Sequence, residues 1–174
     1  MNQLKERNVI GAIAVAFADE INRVASSNAP EEGPAASALA LIRHAPGISI
    51  RSLASGVGLT HAGTVRLVDR LESLGLIERR IHATDARTRS LHLTGEGEMS
   101  CDGILRARDD VISRGLSALT KEEQSVLGAL AERMLRAIVE DEAHAYRICR
   151  LCDYERCKNC PVGEELECRD KKQM

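Results

Sequence analysis

The sequence predicts a mainly α-helical fold that carries one small two-stranded sheet. Three observations predict it. Aromatic residues are only 2% of the 174, so the core must be built from Leu, Ile, Val and Ala, which suits helices packed on helices. Apolar residues recur at helical spacing along most of the chain. One stretch, 76–93, reads instead as two short strands around a polar loop. The length fits one domain, or one domain with a short appendage.

Residues 3–27 read as one helix, with Ile10, Ile13, Phe17, Ile21 and Val24 at helical spacing. From Val9 to Ala18 it is apolar nearly all round, which predicts burial on more than one side, as a dimer interface would supply. Lys5, Arg7 and the small residues around Phe17 imitate a secretory leader, but Glu6 spoils its basic start and the apolar pattern continues to Val24. Asn28 to Pro34 is a break. Residues 35–45 form a short Ala/Leu helix stopped by Pro46-Gly47. Residues 49–56 form another, with Ile50 and Leu53 inward, ended by Gly56-Val57-Gly58. Thr60 caps a helix to Leu74, and Gly75 ends it. Strands follow at 76–81 and 89–93. Thr94 opens a helix to Leu116, and the capping box Thr120 to Glu123 opens another that runs to Arg147. The expected division is an N-terminal dimerisation helix and linker (1–34), a DNA-binding unit (35–93), C-terminal dimerisation helices (94–148) and a Cys-rich tail (149–174).

Two short helices around a Gly-containing turn, then a hairpin, is the order of a winged helix-turn-helix. On a helical wheel of 60–74, Val65, Leu67, Val68, Leu71 and Leu74 fall inward, while Ala62, Arg66, Asp69, Arg70 and Ser73 fall outward. Small residues at the start, Ala62 and Gly63, let the helix approach a major groove, with Thr60 and His61 at its mouth. Thr64 and Arg66 are then placed for base edges or phosphates, with Arg70 further along. Arg87 and Arg89 on the hairpin tip suit a minor groove, and Asp85 can orient Arg87. The charge distribution agrees. Residues 48–93 carry seven arginines and four acids, net +3, whereas 94–148 are net −4. Two copies joined through the acidic helices would present two recognition helices to DNA.

This stretch resembles the MarR family of bacterial winged-helix regulators. The resemblance rests on Leu71-Glu72-Ser73-Leu74-Gly75-Leu76-Ile77, on Glu78-Arg79-Arg80, on Asp85 and Arg87 of the wing, and on Leu93, Thr94 and Gly97 in register. It implies a homodimer whose terminal helices interleave, and repression through pseudo-palindromic double-stranded operators. Release by ligands, oxidants or metals is also implied, which puts a small-molecule effector among the expected partners. By position, Thr64 and Arg66 would read the major groove, Arg87 would enter the minor groove, and Asp85 would hold the wing.

The tail departs from that pattern. Cys149, Cys152, Cys157, Cys160 and Cys168 lie within twenty residues, and two C-x2-C pairs are a strong metal signal. The short spacing between the pairs predicts a compact knuckle without a helix of its own, continuing straight from the 121–147 helix. Zinc is the first expectation; Cys157, Cys160 and Cys168 match part of the structural zinc lobe of alcohol dehydrogenases. An iron–sulfur cluster is the alternative, because Cys152, Cys157 and Cys160 have a plant-type ferredoxin spacing. A bare dithiol switch is a third. Cys101 reads as a small buried hydrophobe, and His144 as the histidine nearest the tail. Clustered thiols without an evident leader predict a cytoplasmic protein. No apolar run reaches the ~18 residues of a membrane span. The alternative is a protein-interaction module with a degenerate winged helix, against which Arg66, Arg87 and Arg89 argue; no nucleophile–base pair is apparent and all-Cys metal sites are usually closed, so an enzyme is not expected. Few aromatics argue against stacking on single strands.

Overall fold

The computed structural model describes residues 3–81, 89–157 and 159–173. Eight α-helices and one two-stranded sheet are present among them. Helix α1 (Gln3–Ser27) leads to α2 (Ala35–His44), which lies at the centre of the core. Ala35, Ala38, Leu39 and Leu41 of α2 are fully buried, and its alanines let α5 pack closely. Helix α3 (Ile50–Val57) is capped by Ser49, whose hydroxyl accepts from the Ser52 N–H at 3.0 Å. Gly58 then turns the chain at φ +71°, a left-handed conformation that favours glycine. Helix α4 (His61–Ser73) follows with Thr60 as its cap, and Gly75, also at φ +71°, ends it.

Strands β1 (Ile77–Ile81) and β2 (Arg89–Leu93) pair antiparallel, with Ile77 opposite Leu93 and Ile81 opposite Arg89. Leu91 also bridges to Ile48, which pins the sheet to the α2–α3 connection. Helix α5 (Gly95–Leu116) starts at Thr94, and α6 (Lys121–Ile138) at the Thr120–Glu123 capping box. One contiguous core joins Ala25 of α1 with α2, α3, α4, the sheet, α5 and Leu151.

Three expectations change. The helix expected over 121–147 breaks at Val139, which turns extended (φ −67°, ψ 132°) and buries its side chain. Asp141 then caps a separate helix, α7 (Glu142–Cys149), by accepting from the His144 N–H at 2.7 Å. Leu74, expected inward, is 52% exposed, because α4 stops at Ser73 and Leu74 sits where the chain turns away. The tail is no helix-free knuckle: a 3-10 turn at Tyr154–Arg156 leads into α8 (Pro161–Gln173), which packs on α6. Arg136 of α6 pairs with Glu164 there, and Arg169 donates to the Glu140 carbonyl.

Helix α6 buries no residue against its own chain. Leu127, Leu130, Met134 and Ile138 form an exposed stripe at helical spacing, and Val9, Ile10, Ile13 and Val15 of α1 are open as well. Two apolar faces of this size mark an association surface.

Candidate nucleic-acid interface

Helix α4 is held from behind. Leu67, Val68 and Leu71 are fully buried, and Arg79 of β1 pairs with both Asp69 and Glu72 on its flank. Those pairs fix the hairpin to the helix, so Asp69 is structural although it faces outward. Thr94 adds a second tie. Its hydroxyl donates to the Gly75 carbonyl at 2.6 Å and accepts from the Gly97 N–H at 3.1 Å, joining the end of α4 to the start of α5.

What remains open is the N-terminal half of α4. Thr60, His61, Ala62 and Arg66 are exposed, and Arg66 makes no ion pair with a described residue. The first N–H groups of the helix lie at this end, with Thr60 Oγ1 accepting from the Gly63 N–H at 3.1 Å. An exposed guanidinium beside an exposed helix start is an arrangement for phosphate or a base edge. Arg51 of α3 is exposed nearby in sequence order, and Arg89 is exposed at the start of β2. The wing residues Asp85 and Arg87 lie outside the described residues.

One of the expected contacts is corrected, and a second is already engaged within the chain. Thr64 is fully buried, and its hydroxyl donates back to the Thr60 carbonyl at 3.0 Å. It anchors the helix and does not face a groove. Arg70 is engaged by Glu31 of the α1–α2 connection in a two-pronged pair, at 2.8 and 2.9 Å. Thr64→Val should therefore leave DNA affinity within about twofold and change stability by about 1 kcal/mol or less, the range of one intramolecular hydrogen bond. Titration of a DNA fragment with the variant checks this; a loss of tenfold or more would restore Thr64 as a reader.

Arg43 was not singled out by the sequence. It sits at the end of α2 and binds Asp102 and Glu98 of α5 and Glu155 of the 3-10 turn. Cys101 beside it is buried as expected, and burial pushes its thiol up to about 11.

All six cysteines are free thiols. Burial pushes the Cys149 thiol up to about 12, with the neighbouring Cys152, Cys160 and Cys157 adding to the rise. Burial also raises Cys152 and Cys157, and the Arg108 guanidinium opposes both rises. Cys168 is exposed on α8. His144 approaches Glu140 at 3.8 Å. Among the described residues, no three His, Cys, Asp or Glu side chains are already spaced as metal ligands.

Comparison with known proteins gives a consistent picture. The MarR family model matches residues 32–88. Transcriptional regulator HosA of Escherichia coli O111:H- is 32% identical over 92 residues, covering 53% of this chain and 68% of HosA. The transcriptional repressor MdtR of Bacillus subtilis is 28% identical over 104 residues, covering 60% of this chain and 67% of MdtR. The apo form of MarR from E. coli superposes with a TM-score of 0.56 at 23% identity, covering 72% of this chain and 96% of that one.

Proposed function

This chain belongs to the MarR family, and from that premise we propose that it binds double-stranded operator DNA as a homodimer and represses transcription. Regulators of this family bind operators as dimers. The observation that carries the reading is the open start of α4, where His61, Ala62 and Arg66, which has no ion pair among the described residues, stand clear of a helix whose back is fully buried. The apolar faces of α1 and α6 supply the second half of the argument. Pairing two copies through them hides Val9, Ile13, Leu130 and Met134, and sets two α4 helices facing one side. Two half-sites centred about 34–36 Å apart, or a multiple of that, then fit one dimer. Repression is the sign that MdtR carries.

The experiment is a paired measurement of mass and DNA affinity on Leu130→Glu/Met134→Glu. The parent chain should sediment as a dimer. The variant should sediment as a folded monomer and lose roughly 100-fold or more in affinity for a fragment upstream of its own reading frame, since joint binding of two half-sites is gone. A monomeric parent with full affinity would overturn the dimeric reading. Added to transcription from that promoter, the parent should lower the transcript; a rise would reverse the proposed sign.

A further inference from the structure

The tail is the part of the molecule that DNA binding leaves unused. Cys149, Cys152 and Cys160 border one small apolar cluster and Cys157 follows close in sequence; among the described residues no three of them are already spaced as ligands, so a metal would have to draw them together. Cys149 ends α7, and the Cys152 N–H closes a turn onto the Cys149 carbonyl at 2.8 Å. Cys157 closes the 3-10 turn onto the Tyr154 carbonyl at 3.1 Å, and Cys157 and Cys160 line one pocket. The Cys160 carbonyl receives the Glu164 N–H at 3.0 Å, in the first turn of α8. Cys149, Cys152 and Cys160 share one small apolar cluster with Val139, Ala145 and Val162. The first C-x2-C pair therefore sits on a tight turn, and Cys160 of the second pair packs against the same cluster. Cys168 is different. It follows Leu166, a member of the cluster, by two helical positions, about 200° around α8, and is exposed.

We propose that Cys149, Cys152, Cys157 and Cys160, without Cys168, are the four ligands of a single zinc ion that locks α7 and α8 onto the DNA-binding unit. Four thiolates suit a closed tetrahedral site with no open position. Binding releases the thiol protons and leaves a doubly negative centre. Arg108 of α5, beside Cys152, supplies nearby positive charge. The lock is visible in the packing. Helix α7 lies so close on α3 that a Cβ on Gly56 would stand 3.1 Å from Tyr146 Cβ and 3.4 Å from its carbonyl oxygen. Leu151, between Cys149 and Cys152, is buried in the main core. Glu155 reaches Arg43 at 3.3 Å. Helix α3 precedes α4 in the helix-turn-helix, so holding α7 also holds the recognition helix. The effect on operator affinity rests on the function proposed above; the metal site does not.

The test uses the full chain purified without chelator, then stripped and titrated with Zn2+ or Co2+. One zinc per chain is expected, and Co2+ should give the visible bands of a tetrahedral tetrathiolate. Cys168→Ser and Cys101→Ser should keep both. Cys157→Ser/Cys160→Ser should lose both while keeping its dimer mass, since the main core does not include either residue. Iron with inorganic sulfide, no uptake of zinc by the stripped parent, or full retention by the double variant would overturn the site. Should the double variant not fold, the cobalt spectrum of the parent decides. Stripping should lower operator affinity roughly tenfold or more. Unchanged affinity would overturn the lock and leave the metal site standing. Absence of DNA binding with and without zinc would count against the proposed function, while the stoichiometry still judged the site.

Discussion

Gly97→Ala is expected to destabilise the protein by about 3 kcal/mol or more, the upper range for forcing atoms into a packed core. A Cβ at Gly97 would lie 2.0 Å from the carbonyl oxygen of Leu76 and 3.0 Å from its carbonyl carbon. Both are backbone atoms, so no side chain can swing aside. The Leu76 carbonyl already accepts the Thr94 N–H at 3.0 Å, and Gly97 donates to Thr94 Oγ1. Relief must come from moving the start of α5 away from the root of the wing. In a chain of this length the melting temperature should fall by roughly 6–12 °C. Gly103→Ala in the same helix is the control. Nothing lies within 4 Å of its added Cβ, so it should be neutral or stabilising by up to about 1 kcal/mol. Equal melting temperatures for the two variants would contradict the close approach of α5 to the wing.

Arg66→Ala is expected to lower operator affinity roughly 100-fold while leaving stability within about 0.5 kcal/mol. The guanidinium is exposed and has no ion pair among the described residues, so the fold does not depend on it. Each arginine contact to DNA contributes about 1–3 kcal/mol, and a dimer brings two copies. Arg70→Ala should lose far less, because Glu31 already holds that side chain. Gel-shift titration at one fixed salt concentration compares the two. Equal losses would mean that Arg70 leaves Glu31 to reach DNA.

Much of this was legible in the sequence, where local chemistry decides. The caps at Ser49, Thr60, Thr94 and Thr120 follow from one side chain meeting a nearby N–H, and the register of the hairpin follows from alternation and turn position. The recognition helix was legible for the same reason, but its two faces were not fully sorted. Thr64 belongs with Leu67, Val68 and Leu71 at helical spacing, a signal that its polar side chain disguised. Leu74 matched the apolar stripe but fell after the helix had ended. The break at Val139 had no glycine or proline to announce it; burial of Val139 beside Val162 and the cap at Asp141 decide it. The links from Arg70 to Glu31 and from Arg43 to Asp102 span 39 and 59 residues, beyond what spacing can convey.

The open start of α4 and the arginines around it should grip the DNA backbone and groove from both protomers of a dimer. The most direct test is the affinity of the parent protein for its upstream fragment, measured across a series of salt concentrations. Arg66, Arg87 and Arg89 from two protomers would displace enough counterions to give a slope of about −5 in log affinity against log salt. A slope near zero, or no binding at low salt, would contradict the account.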